Sequence, residues 1–325
     1  FEARSIELVG ASGKPFRWIA PYLKRYEGRC IGQAGINQII KRVGDQIISL
    51  GYVTTRIGIP AQDLSTGMLK FVLVPGVVRA IRMAEGSPQI HWQNAFPMQP
   101  GDLLNLRDLE QGLEQLKRVP SQDVDMDIVP GDVPGESDVV LKVRKAKPWR
   151  WGISMDDAGL LATGKRQLST NFSWDNPFGL NDLLSLSLNG DAEQDRDRKG
   201  TYGYGWQYSI PFGYWTLGVS ESVYEYRQTV AGINQSFISS GISRSQELKV
   251  QRLVFRDQSS KTTLQFRTGT RLSQSFIDDT EILVQHRRTA FAELAIQQRQ
   301  YIGAVQLDAT LSRRNGVPWY GGLSD

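Results

Sequence analysis

Residues 202–210 read YGYGWQYSI, and residues 184–189 read LSLSLN. In both stretches aromatic or apolar side chains alternate with small or polar ones. A β-strand places successive side chains on opposite faces, so this period of two predicts strands with one apolar and one polar face. The same alternation recurs in residues 149–156, 168–175 and 305–312. The C-terminal part of the sequence therefore predicts an all-β region of about nine strands.

Two architectures fit such strands, a soluble sandwich and a transmembrane barrel, because both alternate apolar and polar side chains. The strands are about 9–12 residues long, which suits a tilted bilayer crossing. Tyr and Trp gather at the strand ends, as they do at membrane interfaces. Short turns such as residues 211–213 alternate with longer polar loops such as residues 229–236. These features favour the transmembrane barrel.

The alternation also assigns faces within such a barrel. Leucines 184, 186 and 188 are expected to face lipid, while the intervening polar residues face the lumen. The last alternating stretch gives the same pattern, with apolar residues toward lipid. The predicted lumen-facing residues are Ser185, Ser187, Asn189, Gln306, Asp308 and Thr310.

The N-terminal part of the sequence predicts an α+β region in which one order of elements occurs twice. The order is β-α-α-β-β, and such a repeat indicates a tandem module. The predicted segments of the first copy are 1–9, 14–26, 36–50, 53–59 and 69–74. Those of the second copy are 78–83, a short helix at 92–96, 106–117, 124–129 and 139–143. We therefore expect three domains, residues 1–76, 77–146 and 147–325.

Composition argues against several functional classes. The net charge is +4, and basic residues are interleaved with acidic ones, which does not indicate a nucleic-acid partner. His91 and His286 are the only histidines, and no spacing suggests a metal site. Residues 159–165 resemble the opening of a phosphate loop, but Arg166 stands where Ser or Thr is needed. We expect no cofactor and no catalytic residues.

Several motifs in the N-terminal half point to a known family. Residues 26–32 read YEGRCIG, and residues 51–56 read GYVTTR. Residues 62–69 read QDLSTGML, residues 74–78 read VPGVV, and residues 176–182 read NPFGLND. Together these motifs resemble those of two-partner secretion transporters (TpsB family; ShlB/FhaC/HecB type), and they look most like the ShlB and CdiB branch of that family.

The resemblance implies an α+β plus all-β fold, in which two tandem POTRA domains precede the N-terminal half of a 16-stranded transmembrane β-barrel. It implies a Gram-negative outer-membrane pore, without enzymatic activity, whose POTRA domains lie in the periplasm. The pore would recognise, secrete and in some cases activate one large TpsA-type exoprotein through that partner's N-terminal secretion domain. Outer-membrane lipid is the other expected partner, and we expect a monomer. Two alternatives stay open, an Omp85-type assembly factor and an outer-membrane barrel hydrolase.

The resemblance also concerns Cys30, the single cysteine. In the ShlB branch a cysteine near the start of the first POTRA domain pairs with one at this position, which implies a disulfide between Cys30 and a residue upstream of Phe1. The family also has an N-terminal plug helix and later barrel strands that this sequence lacks. We therefore expect the sequence to be a fragment of the full transporter.

The same family pattern places the second strand of the first domain, residues 53–59, at the edge of its sheet. An edge strand exposes unpaired N–H and C=O groups to which an extended chain can add. We expect residues 53, 55, 57 and 59 to face the helices and residues 54, 56 and 58 to face outward. The predicted partner-binding residues are Val53, Thr54, Thr55, Arg56, Ile57 and Gly58.

Overall fold

The computed structural model describes residues 1–10, 13–193, 195 and 197–323. Residues 1–89, 96–114 and 124–144 form one compact unit. Residues 90–95, 115–123 and 145–325 form a second one. Among the described residues, no helix has the length and apolar character needed to span a membrane.

The first unit opens with a three-stranded sheet covered by two helices. Its elements are β1 (Glu2–Ala3), β2 (Ser5–Val9), α1 (Ile19–Lys24), β3 (Arg29–Cys30), α2 (Gln33–Ser49), β4 (Arg56–Gly58) and β5 (Met68–Val74), with single 3-10 turns at Lys14–Phe16 and Leu64–Thr66. The strand order in this first sheet is β2-β5-β4, with β2 parallel and β4 antiparallel to β5. Strands β1 and β3 pair separately.

The core of this sheet follows the predicted periodicities. Four residues of α2, Ile36, Ile39, Val43 and Ile47, are buried on one face of the helix. On β5 the alternate residues Leu69, Phe71 and Leu73 are buried against the same core. Burying each such side chain stabilises the fold by about 1.5–3 kcal/mol. The predicted helix and strand are thus confirmed, although Leu50, at the predicted end of the helix stripe, is exposed.

The C-terminal end of α2 lies next to the N-terminal end of helix α3 (Leu106–Lys117). Gly51 follows the last turn of α2 with φ 95°, a left-handed conformation in which glycine costs least. The carbonyl of Gly51 accepts a hydrogen bond from the N–H of Leu106 at 2.8 Å. Asn105 caps α3 by accepting from the Arg107 N–H at 2.8 Å, and its amide donates to the Leu50 carbonyl at 3.2 Å.

The second copy of the repeat has its own three-stranded sheet. Its strands are β6 (Val77–Met83), β7 (Gln122–Pro130) and β8 (Glu136–Lys145) in the order β6-β8-β7. The predicted helix at residues 106–117 is confirmed as α3. The predicted short helix at residues 92–96 is wrong, because the segment forms an isolated turn in which the Ala95 N–H donates to the Trp92 carbonyl at 2.9 Å. Pro97 disfavours a helical conformation for the residue before it.

The second unit contains the long antiparallel sheet predicted from the alternation. Its strands are β9 (Trp149–Asp156), β10 (Gln167–Asp175), β11 (Leu183–Asp191), β12 (Gly200–Phe212), β13 (Trp215–Ala231), β14 (Ser236–Arg256), β15 (Ser260–Ile277), β16 (Thr280–Glu281), β17 (Arg287–Ile302) and β18 (Val305–Gly316). Nine of them form one path, β18-β17-β15-β14-β13-β12-β11-β10-β9, and the two-residue β16 pairs beside β15. Each strand of the path therefore pairs with its neighbours along the chain, with β16 set aside.

Candidate functional site

Strand β4 lies at the edge of the first sheet, as expected for the predicted partner-binding segment. It pairs on one side with β5, through Arg56 with Val74, Ile57 with Leu73 and Gly58 with Val72. Ile57 packs partly against the core, whereas the side chain of Arg56 is exposed. The Arg56 guanidinium donates to the Val53 carbonyl at 2.8 Å, so it is held against the turn that precedes β4.

The predicted extent of this strand is wrong at both ends. Val53 and Thr54 lie in a turn, in which the Thr55 N–H donates to the Tyr52 carbonyl at 3.2 Å. Thr54 packs against Gly76 instead of facing outward, and Thr55 is buried with its hydroxyl accepting from the Gly76 N–H at 3.0 Å. Ile59 was expected to face the helices but lies beyond the strand and is 39% exposed. Pairing with β5 therefore covers only half of the predicted segment.

The long sheet brings the predicted lumen-facing residues onto one face. Ser185 pairs with Gln207, Gln207 with Ser220, and Ser220 with Glu247. Directly paired residues in an antiparallel sheet point to the same side. Continuing this register through β15 and β17 reaches the even-numbered residues of β18. The residues that share this polar face are Ser185, Ser187, Asn189, Gln306, Asp308 and Thr310.

A row of alternating charges crosses the polar face over four strands. Arg267 donates to both carboxylate oxygens of Glu247, at 2.8 and 2.6 Å, and to Glu293 at 3.2 Å. The Nε of Arg314 donates to the other oxygen of Glu293 at 2.8 Å. Each carboxylate in this row is therefore neutralised by a guanidinium, and the hydrogen-bonded ion pairs link β14, β15, β17 and β18. These residues leave no signal in the sequence, because their partners lie on different strands.

The opposite face of the sheet carries large apolar side chains that remain exposed. Trp151 is 64% exposed, Leu188 is 48% exposed and Leu294 is 66% exposed. They occupy the alternate positions of their strands, which the register places together on one side. Exposed apolar surface of this extent marks an interaction with lipid or with another protein.

A buried polar turn joins β10 to β11 in the second unit. In this turn, residues 176–182, Asn181 and Asp182 are fully buried. The Asp182 carboxylate accepts from the N–H groups of Phe178 and Leu180 at 3.3 and 3.1 Å. The side-chain amide of Asn181 donates to the carbonyl of His91 and, at 2.9 Å, to the side chain of Asn94. The motif NPFGLND thus folds a turn in which the polar side chains make hydrogen bonds inside the protein.

Arg118 holds the same turn from another side. Its guanidinium donates to the Asn181 carbonyl at 3.0 Å and to the hydroxyl and carbonyl of Ser209 at 2.9 and 3.2 Å. Burial lowers the pKa of the Arg118 guanidinium, because desolvation disfavours its charged form, and nearby Asp182 acts in the opposite direction. These bonds fix the end of the β10–β11 hairpin to residues that precede the sheet in sequence.

Cys30 is exposed on β3, where it pairs with Glu2 of β1. The neighbouring pair in this ladder is bonded through the Ile31 N–H and the Phe1 carbonyl at 2.9 Å. The predicted disulfide to an upstream residue stays a prediction. In the described part of the chain, no three His, Cys, Asp or Glu side chains come together as metal ligands would.

Comparison with known families matches almost the whole chain. Residues 135–325 match the family described as haemolysin secretion/activation protein ShlB/FhaC/HecB. Residues 1–76 match the ShlB-type POTRA domain, and residues 77–130 match a second POTRA domain model.

Similar proteins are outer-membrane transporters. The chain is 43% identical to the outer membrane transporter CdiB-2 of Burkholderia pseudomallei (strain 1026b) over 96% of this chain and 54% of that protein. It is 28% identical to the hemolysin transporter protein ShlB of Serratia marcescens over 90% of this chain and 52% of that protein. The chain thus spans about half the length of the curated relatives it matches.

Solved structures show the same similarity. CdiB from Escherichia coli superposes with a TM-score of 0.89 at 26% identity, covering 100% of this chain and 61% of that one. CdiB from Acinetobacter baumannii gives a TM-score of 0.83 at 30% identity, covering 97% of this chain and 62% of that one.

Proposed function

The chain belongs to the haemolysin secretion/activation protein family ShlB/FhaC/HecB, and from this premise we propose that it secretes one large partner exoprotein across the Gram-negative outer membrane. The partner would be a TpsA-type haemolysin, adhesin or contact-dependent inhibition toxin, received through its N-terminal secretion domain. Transport of this kind requires a route and a docking surface, not a catalytic centre or a cofactor.

The domain boundaries we propose are residues 1–76 and 77–146 for the two POTRA domains and residues 147–325 for the barrel part. The POTRA domains lie in the periplasm, and the long strands lie in the outer membrane. We propose that the protein acts as a monomer.

The observation that carries this proposal is the division of the long sheet into two faces. One face holds polar and charged side chains on every strand of the path, including Ser185 and Asp308. The other holds exposed apolar residues such as Leu186, at 41%. A barrel wall needs this division, with an apolar surface toward lipid and a hydrated surface toward the transported chain.

Cargo docking is proposed at the edge strand β4. Its unpaired backbone groups accept an extended chain regardless of side-chain sequence, which suits an unfolded partner. The region spanning Val53 to Gly58 would supply the flanking side chains, with Arg56 as the main determinant of specificity. Val53 lies in the turn before β4 and would contact the partner there, whereas Thr54 and Thr55 pack against Gly76 and would hold that turn in place.

Proline substitutions test this docking directly. Successive N–H groups of an edge strand point alternately toward the neighbouring strand and toward solvent. Of the variants Arg56→Pro and Ile57→Pro, one therefore removes a donor that points to solvent and leaves the pairing with β5 intact, and the other removes a donor to β5. Arg56→Glu tests the side chain separately. Ile59→Pro, just beyond the strand, is the matched control. We expect binding of the partner's secretion domain and its secretion to fall in the outward-donor variant and in Arg56→Glu.

Circular dichroism identifies which proline variant keeps its fold. If the folded proline variant and Arg56→Glu both bind and secrete the partner at the parental level, the partner does not dock on β4. That result leaves the transport function itself in place.

A further inference from the structure

An aromatic ladder runs along α1 and the turn that follows it. Trp18, Tyr22 and Tyr26 are four residues apart, so they lie on one side of the helix. The rings of Trp18 and Tyr22 meet edge to face at 6.1 Å between centroids, and those of Tyr22 and Tyr26 at 5.8 Å. The two tyrosine hydroxyls are 3.1 Å apart. All three rings pack against the core of the first sheet, which fixes their positions.

Three arginines surround the two tyrosine rings. The Arg25 guanidinium lies 5.9 Å from the centre of the Tyr22 ring, and that of Arg29 lies 6.0 Å from the centre of the Tyr26 ring. Arg42, on α2, lies beside both tyrosine hydroxyls, and their proximity raises the pKa of its guanidinium. Residues separated by 17 positions in sequence, from 25 to 42, therefore assemble one cluster of positive charge.

Within the described part of the chain, none of these three arginines has a carboxylate partner. The nearby acid Glu27 is engaged elsewhere, because its Oε1 accepts a hydrogen bond from the Ile6 N–H at 3.0 Å. All three guanidiniums are exposed, whereas the rings beside them are half-buried. The cluster thus presents planar donors, held against rigid rings, that form no ion pair in the described part of the chain.

We propose that Arg25, Arg29 and Arg42, with Tyr22 and Tyr26, form a binding surface for acidic segments of the transported polypeptide. This inference rests on the proposed secretion function and adds a second contact to that of β4. A guanidinium binds a carboxylate through two parallel hydrogen bonds, and tyrosine rings supply contact area with little loss of rotational freedom. Trp, Tyr and Arg are also the residues that contribute most of the binding energy at protein interfaces.

A lipid surface fits this cluster less well. Helices that lie on membranes insert Leu, Phe or Trp side chains from a long apolar face. Helix α1 has six residues, and its rings are packed against the protein core. The short helix and the packed rings therefore favour an acidic peptide over anionic lipid headgroups.

The test uses the protein in detergent micelles and a short fluorescein-labelled peptide of alternating Glu and Tyr as the probe. Arg25→Gln with Arg29→Gln removes two charges from the cluster and keeps Arg42, which lies beside the tyrosine hydroxyls. Arg4→Gln with Lys14→Gln removes the same charge from exposed positions elsewhere in the first POTRA domain. Arg25→Lys with Arg29→Lys keeps the charge and loses the bidentate geometry. Binding is measured by fluorescence anisotropy, and binding to phosphatidylglycerol vesicles is measured in parallel.

We expect the Gln pair in the cluster to weaken peptide binding about tenfold, the Lys pair to weaken it less, and the control pair to leave it within about twofold. Equal peptide binding by the parent and the Gln pair, or no binding by the parent, overturns the inference. So does a loss confined to vesicle binding, which would identify a lipid surface.

Secretion of the partner exoprotein separates this inference from the proposed function. If the parent secretes the partner and the Gln pair secretes it less than the control pair does, both stand. If the parent and the Gln pair secrete it equally, the arginine surface is wrong and the transport function stands. If the parent secretes no partner, the proposed transport function is wrong, and the inference about this surface, which rests on it, is wrong as well.

Discussion

The buried amide of Asn181 gives the sharpest test of how the β10–β11 turn is held. Asn181→Gly removes three hydrogen bonds, two donated to His91 and Asn94 and one accepted from the Gln122 amide at 3.5 Å. A hydrogen bond contributes about 0.5–1.5 kcal/mol, so we expect the loss of three to cost the turn about 1.5–4.5 kcal/mol. Asn181 also has φ 54°, in the left-handed region, where glycine is not penalised. Asn181→Ala adds backbone strain of about 1 kcal/mol to the same loss.

Hydrogen exchange measured by mass spectrometry on the peptide covering residues 176–182 reports local opening of this turn. A loss of about 1.5–4.5 kcal/mol corresponds to exchange roughly 10- to 2000-fold faster in Asn181→Gly, and Asn181→Ala should exchange about fivefold faster again. Exchange in the strands β17 and β18, which are far along the sheet, serves as the internal control and should not change.

Two results would refute the reasoning. Parental exchange in Asn181→Gly would mean that the amide contributes nothing to the turn. Faster exchange in Asn181→Gly than in Asn181→Ala would mean that the left-handed conformation is not maintained.

Three further outcomes are expected. Leu186→Arg should destabilise the folded protein in lipid by about 2–4 kcal/mol if it lies near the bilayer midplane, whereas Ser187→Arg should fold and alter channel conductance; equal destabilisation would reject the face assignment. Cys30 of the mature protein, denatured without reductant, should resist thiol labelling if it forms the predicted disulfide, and ready labelling would disprove the bond. Arg79, and next Arg82, hold the pKa of the Asp138 carboxyl well below its usual range, so its contribution to stability is present above the unfolded-state pKa of about 3.9 and is lost as pH falls toward the folded-state pKa. Asp138→Asn should therefore reduce the loss of stability on acidification in urea titrations, and an unchanged pH dependence would show that this pair is not responsible.

Regular elements were predictable because their periodicity is local. The stripe of α3 and the alternation of β11 fix which face is apolar without any knowledge of distant residues. The error at residues 92–96 arose where a short aromatic segment lacks the length to show a period, and there Pro97 limits the conformation of the residue before it. The error at Val53 and Thr54 arose because a continuous β-branched run resembles a strand even where tertiary contacts with Gly76 bend it into a turn.

The side-chain clusters were not predictable from one sequence. Asn181 contacts Asn94, 87 residues away, and Arg267 contacts Glu293 on the neighbouring strand of the sheet. Neither pairing leaves a spacing signal, because it depends on the register of the sheet or on the position of a loop. The alternation did place the six polar-face residues on one side, since a face assignment requires only the period of two.

The central claim is transport of one dedicated exoprotein, and secretion measured in cells tests it most directly. The gene for this protein is deleted and then restored, and the large exoprotein proposed as its partner is quantified in the medium and in the periplasm. The levels of other outer-membrane proteins are measured in the same cells. Secretion through this protein predicts that deletion removes the exoprotein from the medium, that restoration returns it, and that the other outer-membrane proteins are unaffected. Unchanged secretion after deletion, or a general loss of outer-membrane proteins, would contradict the claim.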